Sequence, residues 1–401
     1  MFGNKQNKEV NSMKYQSSVF GQLLELVPKD VFQKNVDKYE GDKKTYRFRC
    51  WDQFLALVYA QIRKMDSLRD LQTSLDSHKE HQYHLNFNGI KRSTLSDANA
   101  KRDYRIYEET FLWLLERCKT YSRNHIPLNN PIRSIDSTTI DLCYTLFPWA
   151  KYRTQKGAIK VHLQLEHNSY LPEIAVITDG KSGDITMARE FPIIPDSIYT
   201  IDRGYIDYEW LYRIHTSKAF FVIRAKKDMN YAIIGQQDAT HPDVVADYEI
   251  QTPWLHKITP SLKPKYPDIL RMVVYIDPLT GKEYKFITNI EAYKPETIAL
   301  IYKQRWKIEL FFKWIKQHLK VKTFIGTTKN AVFTQIWIAL IVYLIAWYFK
   351  HQTQFEGSLL KLFRILNETL LKRVHLLEIL GIHAPEANND AVFESLLPGF
   401  T

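Results

Sequence analysis

The hydrophobic period of this chain changes once, and that change limits the folds open to it. From residue 14 to about residue 125, apolar residues recur every three or four positions, in FGQLLELV, DVFQKNVDKY, WDQFLALVYAQIRKM, SLRDLQTSL and YEETFLWLLERC. That is the period of helices. The stretch YSRNHIPLNNP, rich in proline and asparagine, interrupts it. Strand-like runs follow in PIRSIDSTTIDL, GAIKVHLQLEH and LPEIAVITDG, then a short helix near MAREF, a strand in SIYTIDRGY, a helix in YEWLYRIHTSK and a strand in AFFVIRAK. Three leading strands followed by alternating helices and strands predict a mixed α/β sheet. Residues 228–293 return to short strands, with the Pro278 to Gly281 turn forming a hairpin between two of them. After Pro295 the pattern is helical and closes on an amphipathic helix, SLLKLFRILNETLLKRVHLLEIL. The expected organisation is a disordered start over 1–13, an all-α helical domain over 14–125, an α/β domain over 131–350 and a C-terminal helical segment and tail over 351–401.

Composition narrows the setting. Lysines and arginines number 55 against 44 acids, a formal charge of +11, which points to a polyanionic partner. Only Cys50, Cys118 and Cys143 are present, far apart, so neither a disulfide framework nor a structural zinc site is expected. The polar N-terminal stretch has no apolar core of signal-peptide length, and a reducing, cytoplasmic location is expected. The run from Ile336 to Phe349 is 14 apolar residues long. A bilayer crossing needs about 20, so this run reads as a buried core helix and no membrane is expected.

Cutting a phosphodiester at neutral pH is an electrostatic task, and carboxylates that hold divalent ions near both the attacking and leaving oxygens perform it. Such acids belong at strand ends or on a helix facing the sheet. Asp136 lies within the strand-like run Arg133 to Ile140, where a carboxylate is costly to bury unless paired or metal-bound. Asp202 sits where a strand ends at Asp-Arg-Gly-Tyr, the usual place for ligands in open α/β sheets. Taken singly, either reads more readily as a turn aspartate or half of a salt bridge.

Glu309 is more specific. Eight cations, Lys303, Arg305, Lys307, Lys313, Lys316, Lys320, Lys322 and Lys329, surround it, and it is the only acid between Glu296 and Glu356. A solvated helix would intersperse several acids. Tyr302, Arg305 and Glu309 stand at i, i+3 and i+7, one face of a helix, and Lys316 joins that face seven residues on.

The spacing Tyr302-x2-Arg305-x3-Glu309-x6-Lys316 resembles the Tyr-Arg-Glu-Lys signature of bacterial insertion-sequence DDE transposases of the insertion sequence four family. The runs at Asp136 and Asp202 resemble that family's two aspartate motifs, in the same order. The N-terminal portion, including KRSTLSDANAKR, resembles the helical domain preceding the catalytic core in one branch. The resemblance implies an α/β, ribonuclease-H-like mixed sheet with a β-rich insertion before the glutamate helix, preceded by an all-α domain. It implies that Asp136, Asp202 and Glu309 are catalytic and bind two Mg2+ or Mn2+ ions, and that Tyr302, Arg305 and Lys316 hold phosphates near the transposon end. The long separation of Asp202 from Glu309 matches the family's insertion. Relatives that cut through a hairpin flip a base onto an aromatic; Trp254 is suggestive, but no flanking motif fixes it. The implied activity is metal-dependent cleavage and strand transfer on double-stranded DNA, both transposon ends and target, by a homodimer in the end complex. A related nuclease without strand transfer and a repurposed DNA-binding protein stay open as alternatives.

Two basic segments are candidate DNA contacts. Lys151, Arg153, Lys156 and Lys160 punctuate a stretch without acids between Asp141 and Glu166, a phosphate-gripping loop or simply a solvated one. Nearby His162 reads more readily as a structural histidine. In the N-terminal domain, Ser93 or Thr94 reads as a helix cap with Asp97 in the first turn. Lys91, Arg92, Lys101 and Arg102 make that helix a candidate for recognition, with packing or dimerisation as the other reading.

Overall fold

The structure, a computed structural model, describes residues 17–79, 90–125, 131–153, 156–252, 266, 268–319 and 324–382. The chain divides into two compact units. One comprises the described residues up to Leu114 with Phe324–Gly326 and those from Asn330 onward; the other runs from Leu115 to Thr323 with Thr327–Lys329.

The first unit starts with helices α1 (Val19–Leu24), α2 (Lys29–Lys38), α3 (Cys50–Ile62), α4 (Leu68–Asp76) and α5 (Arg92–Lys101), followed by α6 (Arg105–His125), within which the unit boundary falls. Ser18 and Ser67 cap α1 and α4 by accepting from Gly21 and Asp70 N–H, each at 3.1 Å. Helix α3 is buried nearly all round, the pattern of a central helix. Phe32 packs its ring 5.0 Å from Phe54 and 5.2 Å from Trp51. The start of α5 corrects one expectation. Neither Ser93 nor Thr94 is the cap; the helix begins at Arg92, whose N–H finds Gln72 Oε1 of α4 at 3.0 Å. A side chain from the neighbouring helix satisfies the orphan donor one turn earlier than local sequence suggests.

The described strands of the second unit form one ten-stranded sheet. Its first part is β1 (Ile132–Leu142), β2 (Lys151–Arg153), β3 (Lys156–Glu166), β4 (Pro172–Asp179), helix α7 (Asp184–Glu190), β5 (Ile198–Ile201), helix α8 (Tyr208–Thr216) and β6 (Phe220–Arg224). Strand β3 lies antiparallel between β1 and β4, while β1, β5 and β6 run parallel. The order β4-β3-β1-β5-β6 is the ribonuclease-H-like arrangement, with β1 at its centre. Strands β7 (Ala232–Gln237), β8 (Val244–Gln251), β9 (Leu270–Ile276) and β10 (Glu283–Thr288) are the β-rich insertion. The insertion extends the same sheet, because β10 pairs antiparallel with β6. The β9–β10 hairpin turns through Gly281 at φ +65, a left-handed conformation that glycine adopts without a Cβ penalty.

Both faces of the sheet are covered. Tyr199, Ile201, Phe221 and Ile223 face Trp210, Leu211 and Ile214 of α8. Ile198, Val222 and Phe286 face Ile298 and Ile301 of α9 (Pro295–Lys303), which α10 (Trp306–His318) follows. Alternate residues of the short parallel strands thus belong to opposite cores, so these strands read as continuous apolar runs.

The chain then returns to the first unit. Helix α11 (Lys329–Gln352) has every residue from Ala331 to Phe349 buried. Phe333 and Trp337 set their rings 5.0 Å from Tyr104 and 5.2 Å from Phe111. The helix is long and apolar enough to cross a membrane, and it is instead the core of the helical unit. The amphipathic helix expected from Ser358 onward is broken into α12 (Leu359–Thr369) and α13 (Leu376–Ile379). The reason is the start of α1, whose orphan donors Val19 and Phe20 N–H bond to Lys372 and Leu370 carbonyls at 3.0 and 2.8 Å. Gln22 adds Nε2 to the Val374 carbonyl and Oε1 from Leu376 N–H, both 2.9 Å. The expected disordered start, part of the proline-rich linker and the end of the tail lie outside the described residues.

Candidate active site

Strand register brings two of the acids together. Ile135 of β1 pairs in parallel with Ile201, the last residue of β5. The next residues, Asp136 and Asp202, therefore emerge side by side where β5 gives way to a 3-10 turn over Arg203–Tyr205. Burial pushes the Asp136 carboxyl up to about 6. Ser137 N–H, donating to its Oδ1 at 2.8 Å, and Arg305 oppose that shift, while Glu309 and Asp202 add to it.

The third acid arrives on α10. The helical face expected from Tyr302 to Lys316 is split between two helices: Tyr302 lies in the last turn of α9, Glu309 lies in the first turn of α10, and Gln304 and Arg305 form the turn between them. Both turn residues keep right-handed helical angles, so the faces of the two helices stay nearly aligned and the side chains still meet. The Arg305 guanidinium donates to Glu309 Oε1, and its Nη1 stands 3.9 Å from Asp136 Oδ2. One cation thus joins the sheet carboxylate to the helix carboxylate. Tyr302 lies 5.9 Å from Arg305 Cζ, its ring 4.8 Å from that of Phe286. Lys316, expected at a phosphate, donates instead to the Thr139 carbonyl at 2.9 Å, holding α10 against β1.

Asp202, Tyr302 and Arg305 also line a cavity of about 350 Å³ with Arg224, Tyr284, Phe286 and Trp306. Sequence reading missed these last four. The signal for two of them was present, since Tyr284 and Phe286 alternate along β10 and so share a face; their rings stack 6.0 Å apart. Also missed was Asp184, the first residue of α7. It accepts from Ser137 Oγ at 2.7 Å and Lys160 Nζ at 3.0 Å, with His162 Nδ1 at 3.8 Å. Burial takes the His162 imidazole down to about 4, so it is neutral, and Thr178 Oγ1 lies 2.9 Å from its Nε2.

Two expected DNA contacts are corrected by their surroundings. Lys160 is spent internally, its ammonium mostly buried between Asp184 and the Ser182 carbonyl. Arg102 is buried, giving its guanidinium to the Phe48 carbonyl and to Gln53 Oε1 at 3.1 Å. Lys91, Arg92, Lys101 and Lys151 are exposed. Trp254 and the side chains of Arg153 and Lys156 lie outside the described residues.

Among the described residues, no group of three or more His, Cys, Asp or Glu side chains stands ready to hold a metal ion. The donor chemistry nevertheless fits one. Asp136, Asp202 and Glu309 offer only hard carboxylate oxygens, and the Asp136 carboxyl, raised chiefly by burial with Glu309 and Asp202 adding to the shift, is one whose charged form a cation would favour. Arg305 already supplies one such cation.

The fold and this site define a ribonuclease-H-like protein with acids gathered at the end of its central strands. Residues 128–345 match the family described as Transposase DDE domain, and residues 15–90 match a domain of unknown function, DUF4372. A protein of Sinorhizobium fredii named as transposase y4zB is 33% identical over 254 residues, 62% of this chain and 68% of the relative. A protein of Geobacillus stearothermophilus named as a transposase for insertion sequence element IS5377 is 30% identical over 265 residues, 65% of this chain and 68% of the relative. The piggyBac transposase synaptic complex with hairpin DNA, solved by cryo-EM, aligns with a TM-score of 0.48 at 13% identity, covering 95% of this chain and 84% of that one. The chain belongs to the Transposase DDE domain family and is an enzyme of the bacterial insertion-sequence DDE transposase type.

Proposed function

We propose that the chain binds the terminal inverted repeats of its own insertion sequence as a dimer, cleaves the DNA at those ends and joins them to target DNA. The observation that carries this reading is that the Arg305 guanidinium joins Asp136 of β1 to Glu309 of α10, while strand register sets Asp202, at the end of β5, beside Asp136 and on the cavity that Arg305 also lines. Asp136, Asp202 and Glu309 would hold two Mg2+ or Mn2+ ions, which supply the charge stabilisation needed at the attacking and leaving oxygens. Arg305 and Tyr302, facing the cavity beside Asp202, orient the phosphate next to the scissile bond, and Lys316 keeps α10 docked on β1. Water attack on that phosphate breaks the P–O3′ bond and leaves a 3′-hydroxyl, and the same acids then serve its attack on a target phosphate.

The test is cleavage of a labelled transposon end with Mg2+, mapping products on a denaturing gel. Asp136→Asn, Asp202→Asn and Glu309→Gln should each abolish cutting and joining while leaving end binding largely intact. Normal cleavage by any one of them removes that residue from the triad; cleavage by the unaltered chain with no joined product reduces the reading to a nuclease.

A further inference from the structure

The segment between α2 and α3 carries a surface that the catalytic chemistry does not use. Lys43, Lys44, Tyr46 and Arg47 are exposed, and Tyr46 extremely so, at 89%. Together with Thr94 and Lys101 of α5 they line a groove of about 640 Å³. Of its acids, Glu40 is matched by Lys43 at 2.7 Å and Asp103 by Arg105. That leaves Lys44, Arg47 and Lys101 against Asp97, an excess of positive charge along one side of α5.

The loop is built rather than loose. Gly41 N–H bonds to the Val36 carbonyl at 2.9 Å and Thr45 N–H to the Asp42 carbonyl at 3.0 Å, and Asp42 Oδ1 accepts from Cys50 N–H at 2.7 Å. The buried Arg102 grips the Phe48 carbonyl and lies 5.3 Å from the centre of its ring. A preformed loop loses little freedom when it binds.

A second groove, also about 640 Å³, runs along the opposite side of α5, lined by Ser93 and Ser96 and by Arg69 and Arg92 with Asp66 and Asp70 beside them. Helix α5 is therefore a ridge of short polar side chains between two grooves, the one beside Lys44 and Arg47 in cationic excess and the other with its two arginines matched by two aspartates. A major groove that admits a helix offers base edges to such a ridge and a phosphate rail to its cationic side.

We propose that α5 enters the major groove of duplex DNA and that Lys44, Tyr46 and Arg47 form a clamp on the phosphate backbone of one strand, in the groove between their loop and α5. Lys44 and Arg47 meet phosphates, and Tyr46 lies flat on the sugars. This rests on the end-binding function proposed above and names the loop that performs part of it.

Binding of the full chain to a fluorescent duplex cut from the element's own end, measured by anisotropy in EDTA over a range of salt, tests the clamp. Lys44→Ala and Arg47→Ala should each weaken binding about fivefold to tenfold near 0.1 M salt and make the salt dependence shallower by about 0.9 per contact. Tyr46→Ala should weaken binding with the slope unchanged, because it carries no charge. Lys44→Arg and Arg47→Lys should restore the slope, which separates lost charge from a damaged fold. Unchanged affinity and slope in all three alanine variants would overturn the clamp while leaving end binding standing. Failure of the unaltered chain to bind any duplex would overturn end binding itself, and the clamp with it.

Discussion

Arg305 bridges the carboxylates of Asp136 and Glu309, so the same side chain neutralises the acids and lies within reach of a phosphate in the adjoining cavity. Arg305→Ala should bind cleaved ends more weakly, with a salt dependence shallower by about 0.9. Arg305→Lys should recover the slope without the affinity, since an ammonium cannot form the guanidinium's two-pronged contact; an alanine variant with full affinity and slope would exclude the phosphate role. A second residue ties stability to pH. His162 is 2% exposed and its pKa is depressed to about 4, below the 6.5 of an unfolded histidine. The unfolded chain binds the extra proton first as acid is added, so the stability this residue contributes is complete above about pH 6.5 and is lost as pH falls toward 4, by roughly 3 kcal/mol at most. His162→Gln should flatten that limb of the urea-midpoint curve between pH 6.5 and 4. An unchanged limb would assign the acid sensitivity elsewhere.

Among elements, the connection from β10 into α9 is held by a buried ion pair. Arg271 of β9 makes two bonds to Asp247 of β8, at 2.9 and 2.6 Å, and its Nη1 also reaches the carbonyls of Ile290, Glu291 and Tyr293 at 3.1, 3.2 and 2.6 Å. The insertion thereby fixes the segment just before α9. Arg271→Met strands a buried carboxylate and three carbonyls and should lower stability by about 3 to 5 kcal/mol in urea denaturation. The double variant Arg271→Met with Asp247→Leu should recover part of it; no loss in the single variant would mean the clasp is slack. Nothing in the sequence marks this pair, because its partners are distant in the chain and each residue alone looks like a strand-edge charge. What was legible is what periodicity and spacing encode: the helical start, the strands β1 and β3 to β6, the β9–β10 hairpin, and Asp136, Asp202 and Glu309 as candidates for one site. What escaped depended on tertiary partners. The turn at Gln304 and Arg305 lacks proline or glycine to announce it. The split between α12 and α13 follows from donors at Val19 and Phe20, and Arg102 reads as a surface cation until Phe48 and Gln53 are placed around it.

At the scale of the molecule, the helical unit is assembled mainly from two stretches far apart in the chain, described residues up to Leu114 and those from Asn330 onward, with Phe324–Gly326 added. Its core helix α11 packs Phe333 and Trp337 on Tyr104 and Phe111. Removing residues 1–125 should therefore leave the apolar surface of α11 bare and give an insoluble product, and removing residues 330–401 should leave α1 to α5 sensitive to protease. Recovery of a soluble, protease-resistant fragment from either deletion would show that the stretches fold independently. The same division sets an order in time. About 215 residues separate the two stretches, and at the usual pace of synthesis the early helices wait roughly 10 to 40 s for α11 to leave the ribosome. A copy cut short by a premature stop would carry α5 without the core that supports it, and on the role proposed for α5 such an unfinished product would not compete for DNA with the complete chain.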